Sequence, residues 1–371
     1  MLGGVTRAIE TVRSGLEALG HSVLIVAPRM TGATPQAGVL RVPAVPAPTY
    51  PDFALPLPIG PRLTRRLSAL DLDVFHAQHP FLLGGTARRL ARLLGRPLAF
   101  TYHTLYDKYA HYVPLPRTVV ARHALAWSTR FANQADVVLA PSRTLADRIK
   151  SQGVERPIEV VPTGVDLGAF RAGDRWRARA ALGLTDGGPL LVYVGRLDRE
   201  KNLRFLLEAF AAVLRSRHDT TLLLVGRGTR EADLRAAAER LGIAHRVRFV
   251  GGIAPAEVVT YYQAADVFVF SSTTETQGLA VLEAMAVGRP VVAVRASGIE
   301  EAVVDGVSGL LTPEDPTAFA AAVAEVLDDA GLAAKLAAGG RDVARRFGAP
   351  VLAARLVAIY RRLLDTGPHG G

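Results

Sequence analysis

Arg196 and Lys201 are two cations placed where they could hold a phosphate-bearing ligand. They follow a predicted apolar strand at 190–194, and a predicted helix opens at Asn202. Gly195 would let the backbone approach the ligand, and a helix N-terminus favours an anion. These features suit a diphosphate, which the two cations could stabilise as a leaving group without a metal ion. The alternative is a surface turn with solvated charges.

Glu275 and Glu283 are two carboxylates spaced to hold the hydroxyls of one elongated ligand. Glu275 follows a predicted strand at 267–270 and is expected at the start of a helix over 276–287, where the helix dipole favours its charge. Glu283 comes eight residues later, a little over two turns, so both carboxylates are expected on one side of that helix. One could hold a sugar and the other a ribose. Alternatively, Glu275 caps the helix and Glu283 is solvated or ion-paired.

His103 and the glycine pair Gly3-Gly4 are the candidates in the first half of the chain. His103 directly follows a predicted strand at 98–102, so we expect it at the ligand-facing edge of a sheet. Gly3-Gly4 precedes a predicted helix at 5–19, as in a phosphate-facing turn. Neither feature is specific alone, and the chain has no GxGxxG fingerprint and no GxxxxGKS/T loop. The other histidines of this half are too scattered in sequence to predict a metal site with His103: His76, His79 and His111.

Short apolar runs of β type alternate with helical patterns from end to end of the 371 residues. This pattern predicts an α/β protein with two doubly wound parallel-sheet domains, because buried parallel strands are almost continuously apolar. We predict an N-terminal domain at 1–165, a C-terminal domain at 166–349 and a closing helix at 350–371 that packs back on the first. Ligands of such sheets bind beyond the carboxyl ends of the strands, so a cleft between the domains is expected to hold them. The strands are predicted at 22–27, 74–76, 98–102, 137–140, 158–161, 190–194, 221–225, 247–250, 267–270 and 291–294, and further helices at 203–214 and 231–241.

Composition narrows the class of protein. Cysteine is absent, which excludes disulfides and thiolate ligands and suits a reducing cytoplasm. No uninterrupted apolar stretch of about 18 residues and no signal-peptide pattern occurs. The net charge is +10, and residues 54–131 carry eleven cations against three anions. Such a basic region attracts anionic surfaces such as lipid head groups, although solvated helices of an arginine-rich protein would look the same.

Several motifs occur along the chain in a fixed order: Gly3-Gly4-Val5, His103, the VPTGVD segment at 161–166, Gly195-Arg196 with Lys201-Asn202, and Glu275 with Glu283. This combination resembles the retaining GT-B glycosyltransferases of family four over essentially the whole chain. Within that family, the FTYHTLYDKY segment at 100–109 and TETQG at 274–278 resemble the branch of diacylglycerol glucosyltransferases and phosphatidylinositol mannosyltransferases. Thr276 stands where the common family form has an aromatic residue, a variant that this lipid-directed branch shares.

The resemblance implies a role for each matching residue. Arg196 and Lys201, with Gly3 or Gly4 nearby, would bind the diphosphate of a UDP- or GDP-hexose donor. Glu275, with Gln277 and Gly278, would contact the transferred glucose or mannose, and Glu283 would hold the ribose. His103 would border the reacting sugar and the acceptor and, with Glu275, belong to the catalytic residues. The family would retain anomeric configuration and need neither cofactor nor metal.

The start of the chain departs from the family pattern. The family places a complete central strand before the glycine turn, whereas this chain begins at Met1-Leu2. Because neighbouring strands would expose unpaired backbone without it, we expect the native chain to start upstream of Met1. An in-frame stop just before Met1 would contradict this expectation. If the chain does start at Met1, we expect its first domain to be unstable or inactive.

A membrane glycerolipid is the acceptor that the lipid-directed branch implies, with the enzyme peripheral on the inner face of the cell membrane. Residues 117–134 place arginines and Trp127 among apolar residues, as in an interfacial helix, although an ordinary helix packed on the sheet fits equally. Other classes stay open: transfer to a soluble or polysaccharide acceptor, a sugar-nucleotide epimerase, and a non-catalytic nucleotide-sugar or membrane-binding protein. A nucleic-acid binder is disfavoured because the basic region lacks a recognised motif. The sequence does not indicate an oligomeric state.

Overall fold

The computed structural model describes residues 4–29, 35–47, 50–57, 61–105, 116–184 and 187–367. The chain divides into an N-terminal unit, Val12–Pro162 with Leu352–Gly371, and a C-terminal unit, Thr163–Val351 with Met1–Thr11. Residues up to Thr11 thus group with the C-terminal unit, whereas the sequence-based prediction assigned them to the first domain. Gly3, His111 and the 106–109 part of the FTYHTLYDKY segment lie outside the described residues. The expected missing first strand therefore stays a prediction.

The N-terminal unit is built on a parallel sheet of order β5-β6-β7-β8, beside a parallel pair β1-β2 and an antiparallel pair β3-β4. Strands β6 and β7 are fully buried, in keeping with their unbroken apolar sequences LAFT and VVLA. The strands are β1 (Ile25–Pro28), β2 (Val39–Val42), β3 (Ala44–Ala47), β4 (Tyr50–Pro56), β5 (Phe75–Ala77), β6 (Leu98–Thr101), β7 (Val137–Ala140) and β8 (Ile158–Val160). The helices are α1 (Gly4–Ala18), which begins in the C-terminal unit, α2 (Pro61–Ser68), α3 (Leu83–Leu94), α4 (Arg117–Ala132) and α5 (Arg143–Ser151).

The C-terminal unit contains a six-stranded parallel sheet of order β11-β10-β9-β12-β13-β14. Strands β9, β10, β12 and β13 are buried along their whole length, so the near-continuous apolar runs reflect cover on both faces. The strands are β9 (Leu190–Val194), β10 (Thr221–Val225), β11 (Val247–Gly251), β12 (Val267–Phe270), β13 (Val291–Val294) and β14 (Leu310–Thr312). The helices are α6 (Arg175–Ala181), α7 (Leu203–Ser216), α8 (Glu231–Arg240), α9 (Val258–Ala264), α10 (Leu279–Val287), α11 (Ser297–Glu300), α12 (Pro316–Asp328) and α13 (Ala330–Arg346).

Strand order reverses between β9 and β12, which are neighbours in the sheet although they are not consecutive in the chain. A reversal of this kind separates the connections that leave the two strands and opens a crevice at their carboxyl ends. The two segments with predicted chemistry, 195–201 and 271–278, directly follow these strands. The sheet topology therefore places them at the position where doubly wound sheets bind ligands.

The last helix, α14 (Ala349–Thr366), packs on the sheet of the N-terminal unit. Its Leu356, Val357 and Ile359 share a buried cluster with Ala99 of β6 and Leu139 of β7. Among the described residues, no helix is both long and apolar enough to cross a bilayer.

Candidate active site

The loop after β9 has a shape that only glycine permits at its first position. A Cβ atom on Gly195 would lie 2.4 Å from the hydroxyl of Tyr193. That hydroxyl donates a hydrogen bond of 3.0 Å to the carbonyl of Arg196, which holds the loop against the end of the strand. The loop then makes one 3₁₀ turn, Arg199–Lys201, before Asn202 begins α7 as its N-cap. The helix start predicted at Asn202–Leu203 is confirmed.

Arg196 is held by carboxylates of its own loop. Its guanidinium donates to Asp198 at 2.5 Å and also pairs with Glu200. Asp198 is buried, and its other oxygen accepts from the backbone N–H (2.8 Å) and hydroxyl (2.9 Å) of Thr229. The sequence interpretation missed Asp198 and Glu200 as partners, although both lie between the two predicted cations in the GRLDREK segment. Arg196 is thus a half-buried, positioned group and not a solvated charge of a surface turn.

Lys201 and Glu275 form the ion pair that joins the two predicted segments. Their charged atoms are 2.5 Å apart, and the side chains are only 12% and 18% exposed. Burial by itself would raise the pKa of Glu275, but Lys201, a hydrogen bond from Ser272 and the charge of Arg196 hold that pKa below its ordinary value. Glu275 is therefore an ionised hydrogen-bond acceptor at neutral pH, fixed beside two cations.

Hydroxyl side chains after β12 tie the two loops together through their backbones. Ser271 donates to the carbonyl of Lys201 at 2.9 Å, and Thr274 donates to the carbonyl of Glu200 at 3.2 Å. These bonds fix both loops at the crevice that the strand reversal opens.

The prediction that Glu275 opens a helix is wrong. Helix α10 starts at Leu279, and its N-cap Gly278 adopts a left-handed backbone with φ +73°. Glu275 lies three residues before that cap, so Glu275 and Glu283 do not project from one helix face as the spacing suggested. The physical reason is that Gly278 turns the chain sharply, which breaks the helical spacing between the two carboxylates. Gly298 is a further shaping residue that the sequence did not indicate, because a Cβ there would lie 2.1 Å from the carbonyl oxygen of Glu275.

Gln277 uses both atoms of its amide on the backbone of Thr163. Its Oε1 accepts from the Thr163 N–H at 2.6 Å, and its Nε2 donates to the Thr163 carbonyl at 2.8 Å. The side chain is buried, so this pair anchors the start of the segment 163–166 to the loop after β12. A sugar-binding role for Gln277 and Gly278 stays a prediction.

Glu283 is a buried carboxylate on α10 with a partner on each oxygen. It is 2% exposed, accepts a hydrogen bond of 2.6 Å from the hydroxyl of Tyr262, and pairs with Arg7. The solvated alternative is therefore wrong and the ion-paired one is confirmed. Neither partner was predicted, and no sequence spacing connects α1 with α10.

His103 follows β6 in the N-terminal unit and is held by Gln78, which follows β5. The His103 Nε2 lies 2.7 Å from Gln78 Oε1, so that nitrogen carries the proton and donates to the amide oxygen. Burial, with a smaller contribution from His79, lowers the pKa of His103 to about 4. The imidazole is accordingly neutral at physiological pH, and a catalytic role for it stays a prediction.

The remaining predictions concern the glycine pair and metal binding. Gly4 is the first described residue and begins α1, whereas Gly3 lies outside the described residues. Within the described ranges, no three side chains of His, Asp or Glu are grouped so that they could hold a metal ion. Independence from metals and cofactors stays a prediction.

The chain matches the models of two protein families: Glycosyltransferase Family 4 over residues 2–169 and Glycosyl transferases group 1 over residues 174–343. It is 33% identical over 299 residues to the alpha-monoglucosyldiacylglycerol synthase of Streptococcus pneumoniae, covering 79% of this chain and 68% of that protein. It is 31% identical to the GDP-mannose-dependent alpha-mannosyltransferase of Mycolicibacterium smegmatis, covering 98% and 94%. Among solved structures, sucrose-phosphate synthase from Thermosynechococcus elongatus superposes with a TM-score of 0.82 at 26% identity, covering 98% of this chain and 94% of that one.

Proposed function

The chain belongs to glycosyltransferase family 4 and is a hexosyltransferase of the GT-B fold, and from this premise we propose that it transfers glucose or mannose, with retention of configuration, from a UDP- or GDP-hexose to a membrane glycerolipid. The observation that carries the proposal is the ion-paired group of Arg196, Lys201 and Glu275 at the carboxyl ends of β9 and β12. It offers cations for a diphosphate and an ionised acceptor for sugar hydroxyls within one fixed cluster.

Arg196 and Lys201 bind the donor diphosphate in this proposal. Each cation already donates to carboxylate oxygens, and phosphate oxygens are acceptors of the same kind, so the ligand can share or replace those bonds. Three carboxylates surround the two cations: Asp198, Glu200 and Glu275. Their presence fixes both cations before the ligand arrives, which is the preorganisation that electrostatic catalysis requires.

The transfer step breaks the bond between the anomeric carbon and the oxygen of the β-phosphate. The electron pair moves to that oxygen, and Arg196 and Lys201 stabilise the charge that develops there. The acceptor hydroxyl attacks the anomeric carbon from the same face, and its proton passes to the leaving phosphate. Glu275 holds sugar hydroxyls during the step, neutral His103 contacts the reacting sugar, and Glu283 holds the ribose. Because side-chain cations stabilise the charge on the leaving phosphate, we propose that no metal ion takes part in the transfer.

A lipid acceptor is supported by the name of the pneumococcal relative and by the exposed face of α4. The exposed residues Val119, Arg122, His123, Trp127 and Arg130 stand at positions i, i+3, i+4, i+8 and i+11 of this helix, so they share one face. Trp127 is 58% exposed although its indole N–H donates to the carbonyl of Pro80 at 3.1 Å. An exposed aromatic ring among arginines is the arrangement that places a helix at an anionic bilayer surface.

Activity is tested by presenting UDP-glucose and GDP-mannose with diacylglycerol or phosphatidylinositol in phosphatidylglycerol vesicles. We expect one donor to be consumed with a product of retained anomeric configuration, measured by NMR. Glu275→Ala should lower kcat/KM by about 100-fold or more, whereas Glu239→Ala, at an exposed position of α8, should not. Inversion at the anomeric carbon, or turnover unaffected by Glu275→Ala, contradicts the proposal.

Membrane association is tested by co-sedimentation with phosphatidylglycerol and phosphatidylcholine vesicles. Reversing Arg122 and Arg130 to Glu should weaken binding to the anionic vesicles at least about 10-fold, because each arginine near such a surface contributes about 1 kcal/mol. The matched control reverses two exposed arginines of the C-terminal unit, Arg240 and Arg346. Equal binding to both kinds of vesicle removes the electrostatic basis of the lipid acceptor.

A soluble sugar phosphate is the second candidate acceptor, because the structure with a TM-score of 0.82 is a sucrose-phosphate synthase. The same assay with hexose phosphates in place of vesicles separates the candidates. Transfer to a hexose phosphate that vesicles neither accelerate nor inhibit would favour the soluble acceptor over the lipid.

A further inference from the structure

Glu283 is a buried carboxylate whose two oxygens are held by neighbouring side chains. The carboxylate lies on α10 with one oxygen 2.6 Å from the Tyr262 hydroxyl and the other paired with the Arg7 guanidinium. Tyr262 in turn packs against the rings of Phe170 and Phe268, so the surroundings are largely apolar. A carboxylate in such surroundings stays ionised only when a cation or several donors compensate for lost hydration.

Arg7 is the cation that compensates. Burial alone would lower the pKa of Arg7, but the carboxylate of Glu283 and the ring of Tyr262 raise it above its ordinary value. The Arg7 side chain is 15% exposed. It lies on α1 and pairs with Glu283 of α10, although the two residues are 276 positions apart in the sequence. Tyr262 offers only a neutral hydroxyl, so it cannot replace the positive charge.

We propose that Arg7 is a positioning residue for the ribose of the nucleotide: its guanidinium pairs with one oxygen of Glu283 and fixes the plane of that carboxylate, so that Glu283 can bind the ribose diol. This inference rests on the proposed function, in which Glu283 holds the ribose. A carboxylate has about four lone-pair sites, and Arg7 and Tyr262 take one on each oxygen. The two that remain can accept from the 2′- and 3′-hydroxyls.

Discrimination between ribose and 2′-deoxyribose separates this role from a merely structural ion pair. The probes are UDP, GDP and their 2′-deoxy forms, titrated calorimetrically into the full chain. From the usual strength of a hydrogen bond to a charged group, we expect the wild type to bind each ribonucleotide about 10- to 100-fold more tightly than its 2′-deoxy form. Arg7→Met should reduce that preference to about 3-fold or less, and Arg7→Lys should keep most of it because the cation remains. Arg13→Met is the matched control, since Arg13 lies on the same helix and pairs with Glu17 at 2.7 Å.

A double-mutant cycle with Glu283→Gln tests whether Arg7 acts through Glu283. In the Glu283→Gln background no buried carboxylate is left uncompensated, so adding Arg7→Met should change nucleotide affinity by less than about 2-fold. A further 10-fold loss there, or an Arg7→Met protein that keeps the ribose preference, overturns the inference. If the wild type binds neither UDP nor GDP, the proposed function has failed; if it binds and only the Arg7 effects are missing, the proposed function stands without this role.

Discussion

Acid should destabilise the N-terminal unit through two half-buried histidines, His76 and His103. His76 Nδ1 lies 2.6 Å from the Tyr360 hydroxyl and its Nε2 lies 2.6 Å from the Thr101 hydroxyl. Burial, with a smaller contribution from His103, lowers the pKa of His76 to about 3, and burial lowers that of His103 to about 4. In the unfolded chain the pKa of each imidazole returns to about 6.5. The unfolded state therefore binds more protons than the folded state between about pH 4 and pH 6.5.

The sign of the effect follows from this difference. The histidines contribute their full stabilisation above pH 6.5, and it is lost as the pH falls towards their folded-state pKa values. Each histidine lowers the free energy of unfolding by about 1.4 kcal/mol per pH unit. From pH 6.5 to pH 5 the loss is about 2 kcal/mol for each ring and about 4 kcal/mol for both.

Fluorescence can follow this unit by itself, because the chain has two tryptophans and Trp127 lies in the N-terminal unit while Trp176 does not. In a Trp176→Phe background, urea unfolding at a series of pH values gives the free energy of unfolding with and without His76→Gln. The difference between the two should shrink by about 2 kcal/mol from pH 6.5 to pH 5. His21→Gln, at an exposed histidine of the same unit, reports what the same substitution does in solvent. A pH-independent difference for His76→Gln would refute the reasoning, since it would mean that the ring takes up protons equally in both states.

Three further outcomes are expected from the C-terminal unit. Lys201→Met should lower kcat/KM for the donor by about 100- to 1000-fold, because it removes a diphosphate ligand and leaves Glu275 without its 2.5 Å partner. Gln277→Leu should lower the free energy of unfolding by about 2 kcal/mol in urea titrations, since the N–H and carbonyl of Thr163 lose their bonds. Gly298→Ala should cost about 100-fold in kcat/KM in steady-state assays, because its Cβ would displace the Glu275 backbone.

Matched variants make each outcome specific. Lys201→Arg keeps the positive charge and should retain more activity than Lys201→Met. Equal activity of the two variants would contradict a role for the charge. Gln277→Glu replaces the donor to the Thr163 carbonyl by a second acceptor in a buried position, so it should be no more stable than Gln277→Leu. Gly85→Ala places a methyl group where nothing lies within 4 Å, so an activity loss equal to that of Gly298→Ala would argue against the steric reasoning.

The sequence by itself determined the architecture and the position of the chemistry. Apolar runs at 190–194 and 267–270 predicted strands covered on both faces, and the polar segments after them were expected at the carboxyl ends of a parallel sheet, as the structure shows. These conclusions depend on local periodicity and on the composition of single segments. The same local information failed at Glu275, where the left-handed turn at Gly278 replaced the expected helical spacing.

Tertiary structure alone decided which charges meet. Arg7 and Glu283 are 276 positions apart, Gln277 and Thr163 are 114 apart, and Lys201 and Glu275 are 74 apart. No periodicity connects such positions, because the contacts depend on strand order and helix packing and not on the pitch of one element. The ionisation of Glu275 and the acceptor geometry of Glu283 follow from those long-range partners. The neutrality of His103 follows from its burial, which also exists only in the folded chain.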